Sequence, residues 1–267
     1  MRISKLLLLA GLLGYATSSV AIDTTGWSCT GNCGTLGANG VVTLSPVVGS
    51  TAYGWVSTES GVVGLGLPGI GGVGSPDNGS RIRSSLFSAT GGQNLSFYFN
   101  YVTSDGAGFA DYAWARLLDS SGNQVALLFT ARTAASGDTV PGFSMPAPAA
   151  TLVPPSTPII PGGPVWGPLG SDSGSCFDVG CGYTGWIQAN YTIAASGNYR
   201  LEFGVVNWND SDYNSGLAFD GATIGGAPIG PGGATHIPTL HEYSLLVMIM
   251  LLGGLGIWQA RRRSARG

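Results

Sequence analysis

Histidine and lysine are almost missing from this chain, and their absence argues against several common functions. The only histidines are His236 and His241, and the only lysine is Lys5. Ser-His-Asp and Cys-His nucleophilic catalysis needs an imidazole that exchanges a proton near neutral pH. Nucleic-acid binding relies on clustered lysine and arginine. The central part of the sequence therefore favours neither a common hydrolase mechanism nor binding to nucleic acid.

Charge of either sign is also scarce, because Asp, Glu, Lys and Arg together make up only 9% of the residues. Six of the eleven basic residues lie near the two ends, so the formal net charge of −3 hides an asymmetry. Between residues 22 and 236, five arginines stand against thirteen acidic residues, a net charge of −8. An acidic surface of this kind suits divalent cations. The abundant glycine and the recurring β-branched and aromatic residues are typical of a β-rich extracellular domain.

The two ends of the chain carry apolar segments that predict export. Arg2 and Lys5 precede an apolar block, and small residues before Ile22 form a cleavage site, so residues 1–21 are predicted to be a signal peptide. Near the other end, apolar residues 243–258 would form about 24 Å of helix against a hydrocarbon core of about 30 Å. Interfacial aromatic residues and snorkelling arginines compensate for the difference. We predict a single transmembrane helix over residues 243–260; the alternative is a buried core helix.

The residues around that segment resemble a known sorting signal. Ile237, Pro238, Thr239 and Leu240, followed by the apolar helix and the basic residues Arg261, Arg262 and Arg263, resemble the IPTL-CTERM signal, a relative of the PEP-CTERM signals of Gram-negative bacteria. His241-Glu242-Tyr243 stands where that family more often has Ser-Glu-Trp. The resemblance implies recognition of the motif by an exosortase-type membrane transpeptidase.

Residues 237–267 are thus interpreted as the sorting signal, with a basic tail after the helix. The arginine cluster predicts an N-out, C-in orientation, because positive residues stay on the cytoplasmic side. We expect the protein to be anchored in the inner membrane at least transiently and then to reach the envelope, the cell surface or the extracellular space.

The residues between the two ends show the alternation of β-strands. Residues 94–103 place Leu95, Phe97, Phe99 and Tyr101 on one face and polar residues on the other. Further strands are predicted at 111–118, 124–132, 186–193, 198–207 and 217–224, and weaker ones at 41–44, 52–57 and 81–87. The predicted fold of residues 22–224 is all-β: a two-sheet antiparallel β-sandwich, jelly-roll-like. Residues 133–183 are interpreted as a long Pro/Gly/Ser-rich surface excursion, and residues 225–236 as a flexible stalk.

Four cysteines fall into two local pairs, Cys29 with Cys33 and Cys176 with Cys181. Export places them in an oxidising compartment, so we expect two short disulfide loops. Three connectivities are possible, and the local one is preferred. A zinc site is the alternative, since the spacings loosely match those of metal ligands.

Two groups of residues are candidates for ligand binding. Asp105, Asp111 and Asp210 lie at predicted strand ends and could supply oxygen ligands to calcium. The segment from Gly216 to Gly221 resembles the last strand of jelly-roll carbohydrate-binding modules, which implies Asp220 as a fourth ligand. The alternative is that these aspartates serve only in turns and hydrogen bonds.

Trp208 and Tyr213 lie in a polar loop and are candidates for stacking on sugars, although aromatic residues more often belong to the core.

A second likeness bears on function. The segments Ser104 to Arg116 and Val205 to Asp210 resemble exported PEP-CTERM-class proteins of unknown function that are regarded as surface or matrix components. The leading hypothesis is a non-enzymatic structural or adhesive protein of the envelope or extracellular matrix. The first alternative is a carbohydrate-binding module with a structural calcium ion, contacting extracellular polysaccharide. The second is a polysaccharide hydrolase that uses Glu59 and Glu202.

Overall fold

The computed structural model describes residues 22–230, which form an all-β protein built from antiparallel sheets. The predicted signal peptide, the sorting motif at 237–240, the helix at 243–260 and the arginine cluster at 261–263 lie outside the described residues. Within residues 22–230, no helix has both the length and the apolar character needed to cross a membrane.

Eighteen strands and two short 3-10 helices make up this part of the chain. In chain order they are β1 Ser28–Thr30, β2 Asn32–Leu36, β3 Tyr53–Ser57, β4 Val62–Val63, β5 Pro76–Arg83, β6 Phe87–Ala89, β7 Asn94–Thr103, η1 Ala107–Phe109, β8 Tyr112–Asp119, β9 Gln124–Arg132, β10 Asp138–Val140, β11 Thr151–Val153, β12 Thr157–Pro158, β13 Ile160–Pro161, η2 Gly167–Asp172, β14 Gly182–Tyr183, β15 Ile187–Thr192, β16 Gly197–Trp208, β17 Ser215–Ile224 and β18 Ala227–Pro228.

Two large sheets face each other. Sheet A has the strand order β1-β5-β16-β8-β9, with β4 and β6 pairing at its margins. Sheet B has the order β11-β15-β7-β17-β3-β2, extended by β13, β14 and β18. A separate two-stranded sheet joins β10 to β12. The result is a β-sandwich whose interior lies between sheets A and B.

Aromatic side chains from both sheets fill this interior. Phe99 of β7 stacks on Phe129 of β9 with the ring centroids 3.7 Å apart, and Phe97 meets Phe203 of β16 edge to face at 5.1 Å. All four are fully buried. Such pairs stabilise a core beyond the apolar area that they bury. The alternating pattern of residues 94–103 therefore predicts both the strand and its inward face.

Most of the predicted strands are present within a few residues, but the weak ones need correction. The prediction of a strand at 41–44 is wrong, because Val42 forms only an isolated bridge to Asn39. The predicted strand at 81–87 is two strands, β5 and β6. The break between them falls at Ser84. The Leu201 N–H would pair with a backbone carbonyl in a continuous ladder, but here it donates to the Ser84 hydroxyl.

The interpretation of residues 133–183 as a surface excursion is also wrong in part. This segment contains β10 to β14 and the helix η2: β11, β13 and β14 join sheet B, and the part around η2 covers the outer face of that sheet. Trp166 and Leu169 are fully buried there against Val102 and Ala218. The Trp166 indole N–H donates to the Tyr53 hydroxyl at 3.0 Å. Val140 and Leu152 of the same segment are buried in the main core, so a few apolar residues anchor a segment that is otherwise rich in proline, glycine and serine.

The predicted stalk begins later than residue 225. The short strand β18 pairs with Thr223 and Ile224 of β17, and Ile229 is only 3% exposed in the main core. Gly230 packs against the backbone of Asp23, so the two ends of the described chain lie side by side. Residues 225–230 therefore belong to the sandwich, and the rest of the predicted stalk lies outside the described residues.

Both local disulfides are present. Cys29 pairs with Cys33, and Cys176 pairs with Cys181. The expected pairing is confirmed. The zinc alternative is wrong, because a cysteine in a disulfide has no thiolate to offer a metal.

Candidate functional site

The inner faces of the two sheets become polar at one end of the sandwich. Here β7 ends at Thr103 and β17 begins at Ser215, and both side chains are buried where the core aromatics stop. We call this region the loop end and define it by residues 103–111, 172–178 and 208–215. It holds three of the four predicted calcium ligands and both predicted sugar-binding residues.

Asp111 is the centre of the buried polar contacts at the loop end. Its carboxylate is 1% exposed. Oδ2 accepts the Ser215 hydroxyl at 2.6 Å, and Oδ1 accepts the backbone N–H of Trp208 at 2.8 Å. The Ser215 oxygen also lies 2.7 Å from Thr103 Oγ1. Both oxygens of Asp111 are thus used inside the protein.

Asp105 is less well satisfied. Its Oδ1 accepts the Gly106 N–H at 2.7 Å, whereas its Oδ2 is buried and has no hydrogen-bond partner among the described residues. Burial raises the pKa of Asp105 to about 7. The hydrogen bond from Gly106 lowers this pKa, whereas the negative charges of Asp210 and Asp212 raise it.

Burial also raises the pKa of Asp111, and the negative charge of Asp105 adds to this effect. The hydrogen bonds from Ser215 and Trp208 oppose the increase but do not cancel it. Two neighbouring carboxyl groups that share a low-dielectric environment cannot both ionise easily. The loop end is therefore built to hold protons on buried carboxyl groups at mildly acidic pH.

The four predicted calcium ligands do not come together. Asp220 lies five residues beyond Ser215 along β17, about 16 Å away, and on the opposite face of sheet B. Its carboxylate accepts hydrogen bonds from the hydroxyls of Ser45 and Ser50 and from the Gly221 N–H. Asp220 thus fixes the 45–50 loop to the sheet.

The remaining acidic residues do not form a metal cluster either. Asp210 uses Oδ1 to accept the backbone N–H of Asp212 in an exposed turn. In residues 22–230 no group of three or more histidine, cysteine, aspartate or glutamate side chains converges as metal ligands. The grouping of Asp105, Asp111, Asp210 and Asp220 around one calcium ion is therefore corrected, because it took acidity at strand ends as a sign of proximity.

Trp208 is not available for sugar stacking. Its side chain is 3% exposed, and the indole N–H donates to the Val73 carbonyl at 2.9 Å. The guanidinium of Arg132 lies 4.4 Å above its ring, and Tyr112 packs against it edge to face. The prediction for Trp208 is wrong because the neighbouring 65–75 segment folds over it, which its polar sequence context does not reveal.

Tyr213 remains a candidate for stacking on sugars, and two further aromatic side chains lie near it. It is partly exposed, and its ring lies 5.0 Å from that of Phe177, which in turn lies 5.6 Å from that of Phe109. Phe177 is 48% exposed and sits inside the Cys176–Cys181 loop. We call Phe109, Phe177 and Tyr213 the aromatic trio. The sequence offered one signal for Phe177, a large apolar residue inside a short exported disulfide loop.

Acidic residues lie on the same loops as the aromatic trio. Asp178 is exposed and contacts Gly106 in the η1 loop. Asp212 and Asp210 are close to Tyr213 in sequence, on the same 209–214 loop. Carboxylates beside exposed rings can accept hydroxyl hydrogen bonds while the rings pack on apolar carbon faces. This combination suits a sugar better than a purely apolar ligand.

The glutamates proposed for a hydrolase have other roles. Glu202 is fully buried and accepts hydrogen bonds from Nε of both Arg83 and Arg116, and from the Trp114 indole at 3.1 Å. Burial alone would raise the pKa of Glu202, but these bonds and the charge of Arg116 outweigh it and hold the pKa below its usual value.

Glu59 is also engaged, although it is partly exposed. Its Oε2 accepts the Asn32 side-chain amide at 2.7 Å.

Comparisons with known proteins bear on the C-terminal end. Residues 236–263 match the family model described as IPTL-CTERM motif, which covers the predicted motif Ile237 to Leu240 and the arginines 261–263. The sorting signal is therefore confirmed, and it indicates an exported protein. No curated protein matches the chain.

Among solved structures, the chain is similar to the enzymatically active domain of tailspike protein 4 of bacteriophage CBA120, at 12% identity and a TM-score of 0.34. The match covers 76% of this chain and 20% of that domain's chain, so this chain spans about a fifth of the length of the domain. It is also similar to the K1 cleaved adhesin domain of Lys-gingipain from Porphyromonas gingivalis W83, at 10% identity and a TM-score of 0.33, covering 74% of this chain and 89% of that domain.

Proposed function

We propose that this chain, which carries an IPTL-CTERM motif, is an exported structural or adhesive protein of a Gram-negative envelope or extracellular matrix. The observation that carries the proposal is the sorting motif itself, placed directly after a disulfide-containing β-sandwich. The tail would hold the protein in the inner membrane by a transmembrane helix until an exosortase-type transpeptidase recognises the motif.

The finer architecture that we propose for the sandwich is a jelly roll. Its eight principal strands in chain order are β3, β5, β7, β8, β9, β15, β16 and β17. Numbered one to eight, they stand in the order 1-8-3-6 in sheet B and 2-7-4-5 in sheet A. This order supports two interlocked Greek keys, the plan of jelly-roll domains that serve in lectins and capsids.

The proposal is for a protein without enzymatic activity, and two observations support it. The buried Glu202 is held ionised by two arginines, so it is poorly suited to donate a proton to a leaving group. Both histidines of the chain lie at the sorting signal rather than in the sandwich. Turnover of a polysaccharide by the purified chain that disappears in Glu202→Gln would favour the hydrolase instead.

Sorting is tested by mass spectrometry of the mature C-terminus isolated from native cells. We expect the mature chain to end near the motif and to lack Arg261 to Arg263. Thr239→Ala in the motif should cause the unprocessed form to accumulate, whereas Thr235→Ala, the same change outside the motif, should not. Full-length protein dissolved in the cytosol with reduced cysteines would overturn the proposal.

A second candidate function is carbohydrate binding at the aromatic trio, which the exposure of Phe177 and Tyr213 beside acidic loops favours. Binding of the purified chain to a glycan array should be lost in Tyr213→Ala and in Phe177→Ala. Tyr191→Ala removes another partly buried tyrosine, on β15 and away from the loop end, and should leave binding unchanged. Equal loss in all three variants would argue against the trio.

A further inference from the structure

The arginines of the sandwich are concentrated on one face. Residues 22–230 contain five arginines and no lysine. Four of them, Arg81, Arg83, Arg116 and Arg200, project from the outer face of sheet A. We call these four the arginine face. The fifth, Arg132, is buried under other contacts.

The strand register fixes this placement. On β5, β16 and β8 the inward positions are taken by core residues such as Ile82, Leu201 and Ala115. Successive side chains alternate between the two faces of a sheet, so the arginines next to these residues point outward. Glu202 pairs with Arg83 on one side and with Arg116 on the other. The three form a row across the sheet.

Glu202 neutralises only part of this charge. It is the acidic partner in both ion pairs formed by the described residues, one with Arg83 and one with Arg116. The four arginines and Glu202 together carry a formal charge of +3, on a domain whose net charge is −8. Positive charge is therefore concentrated here and nowhere else on the described surface.

Several guanidinium N–H groups of these arginines donate to no described residue. Arg83 and Arg116 reach Glu202 through Nε, and neither donates from a terminal nitrogen to any described residue. Their side chains are 28% and 13% exposed. The Nε of Arg81 has no partner within the described residues, and Arg200 uses one terminal nitrogen to donate to the Ser84 carbonyl. The terminal N–H groups of Arg83 and Arg116 thus have no described partner on partly exposed side chains, whereas the unpaired Nε of Arg81 is itself buried.

Burial and the close spacing of like charges both act on Arg81. Burial lowers the pKa of Arg81, and the positive charges of Arg83 and Arg116 lower it further against the attraction of Glu202. An anion placed between these groups would relieve that repulsion. Arginine is the residue best suited to this task, because its planar fork matches the two oxygens of a carboxylate.

The array is broad and flat. Arg83 and Arg116 are two strand spacings apart, about 9.5 Å, and Arg81 lies two residues from Arg83 along β5, about 6.7 Å. Glu202 takes up only one N–H of Arg83 and one of Arg116, so the four guanidinium groups offer more donors than a single small anion can accept. A chain that carries a carboxylate on successive units can contact several of them at once.

We propose that the outer face of sheet A binds an anionic polysaccharide through the carboxylates of its uronic acid units, with Arg81, Arg83, Arg116 and Arg200 as the contacting residues. The inference deepens the proposed matrix role and rests on it. Its failure is distinguishable, because binding is measured on the purified chain and sorting is measured in cells. Nucleic acid is disfavoured as the partner, since phosphate backbones are bound by larger clusters of positive charge.

The test is retention of the purified full chain, kept in detergent, on immobilised polygalacturonate, with dextran as the neutral control. We expect binding to polygalacturonate alone and a steep loss of affinity as salt rises, because exposed charge pairs are screened. The double variant Arg81→Gln/Arg200→Gln should bind at least about tenfold more weakly, which corresponds to about 1.4 kcal/mol. It leaves the Glu202 ion pairs intact.

A matched control changes the net charge equally on the opposite face. Thr151 and Thr192 are exposed on sheet B, and Thr151→Glu/Thr192→Glu also makes the chain more negative by two charges. This control should keep the affinity of the unchanged protein within about twofold. The single variant Arg81→Gln breaks no hydrogen bond to a described residue and should weaken binding about threefold, even if the double variant is less stable.

Three results would overturn the proposal. One is no retention of the unchanged chain on polygalacturonate at low salt. Another is an equal loss in both double variants, which would mean a general effect of net charge. The last is tighter binding to duplex DNA or to anionic lipid vesicles than to polygalacturonate through the same arginines.

Discussion

Asp111, the residue directly before β8 of sheet A, accepts a hydrogen bond from the hydroxyl of Ser215, the first residue of β17 in sheet B. Its other oxygen accepts the backbone N–H of Trp208 at the end of β16. A single carboxylate thus joins three strand ends across the two sheets. The loop end is held together by this contact as well as by the packing of aromatic rings.

Removing the Ser215 hydroxyl should destabilise the protein. Ser215→Ala leaves Asp111 Oδ2 buried without its donor, and an unsatisfied buried polar group costs about 1 to 3 kcal/mol. Chemical denaturation measures the change in the free energy of unfolding. Ser120→Ala, in an exposed turn, should change it by less than about 0.5 kcal/mol. Equal effects of the two substitutions would contradict the role of the Asp111 contact.

Stability should fall as the pH rises between 5 and 8. The pKa of Asp105 is raised from 3.8 to about 7 in the folded protein, and the pKa of Asp111 is raised as well. In this window the folded state holds protons that the unfolded state has lost, so a higher pH favours unfolding. The melting temperature, measured at several pH values, should therefore be higher at pH 5 than at pH 8.

The ionisation of Glu202 does not affect the melting temperature in this pH range. Its pKa is lowered from 4.5, so its stabilising contribution is complete above pH 5 and is lost only under more acidic conditions. Asp105→Asn should reduce the dependence on pH and raise the melting temperature at pH 8, whereas Asp138→Asn at an exposed position should change neither. A melting temperature that rises steadily from pH 5 to pH 8 would refute the prediction.

Neutralising Glu202 should be more damaging than neutralising Glu59. Glu202→Gln leaves Arg83 and Arg116 without their counter-charge, and loss of one partner of a buried ion pair costs about 3 to 5 kcal/mol. Glu59 is partly exposed and has one amide partner, so Glu59→Gln should cost less than about 1 kcal/mol. Denaturation curves of both variants provide the comparison, and similar midpoints would contradict it.

Trp166 should anchor the 133–183 segment to sheet B. Trp166→Ala leaves a cavity against Val102 and Ala218 and should cost about 3 to 5 kcal/mol. Val165→Ala, at a neighbouring side chain that is 58% exposed, should have little effect. Limited proteolysis would show whether the segment has become accessible. If Trp166→Ala resists protease as well as the unchanged protein does, the anchor lies elsewhere.

Chelation of calcium should leave the melting temperature unchanged. The predicted ligands are divided between two distant positions, and the carboxylates of Asp111 and Asp220 are occupied by serine hydroxyls and backbone N–H groups. A ligand that binds only the folded state raises its stability, so a lower melting temperature in chelator would reveal an ion that these contacts do not require.

Much of the fold could be predicted from local patterns. Alternation over 94–103 identifies β7 to the residue, since a half-buried strand imposes a period of two on its sequence. The apolar run 124–132 after a turn rich in Asp, Ser and Gly identifies β9. The short strands β10 to β14 could not be found this way. They are held by contacts distant in sequence, such as the Trp166 indole on Tyr53, and two or three residues carry no periodic signal.

The candidate site was predicted less well, for a related reason. The sequence does not show which acidic residues at strand ends lie near one another. The direction of β17 places Asp220 far from Asp111. Trp208 in a polar loop reads as exposed, yet the 65–75 segment covers it. Proximity between strand ends depends on topology, which local composition does not encode.

The direction of β17 also determines how the protein is presented to its surroundings. This central strand starts at Ser215 beside the aromatic trio and finishes at Ile224 beside Asp23 and Gly230, roughly 30 Å away. Tyr213 and Phe177 therefore lie at the end of the sandwich opposite to Gly230, the residue from which the chain continues toward the IPTL-CTERM motif.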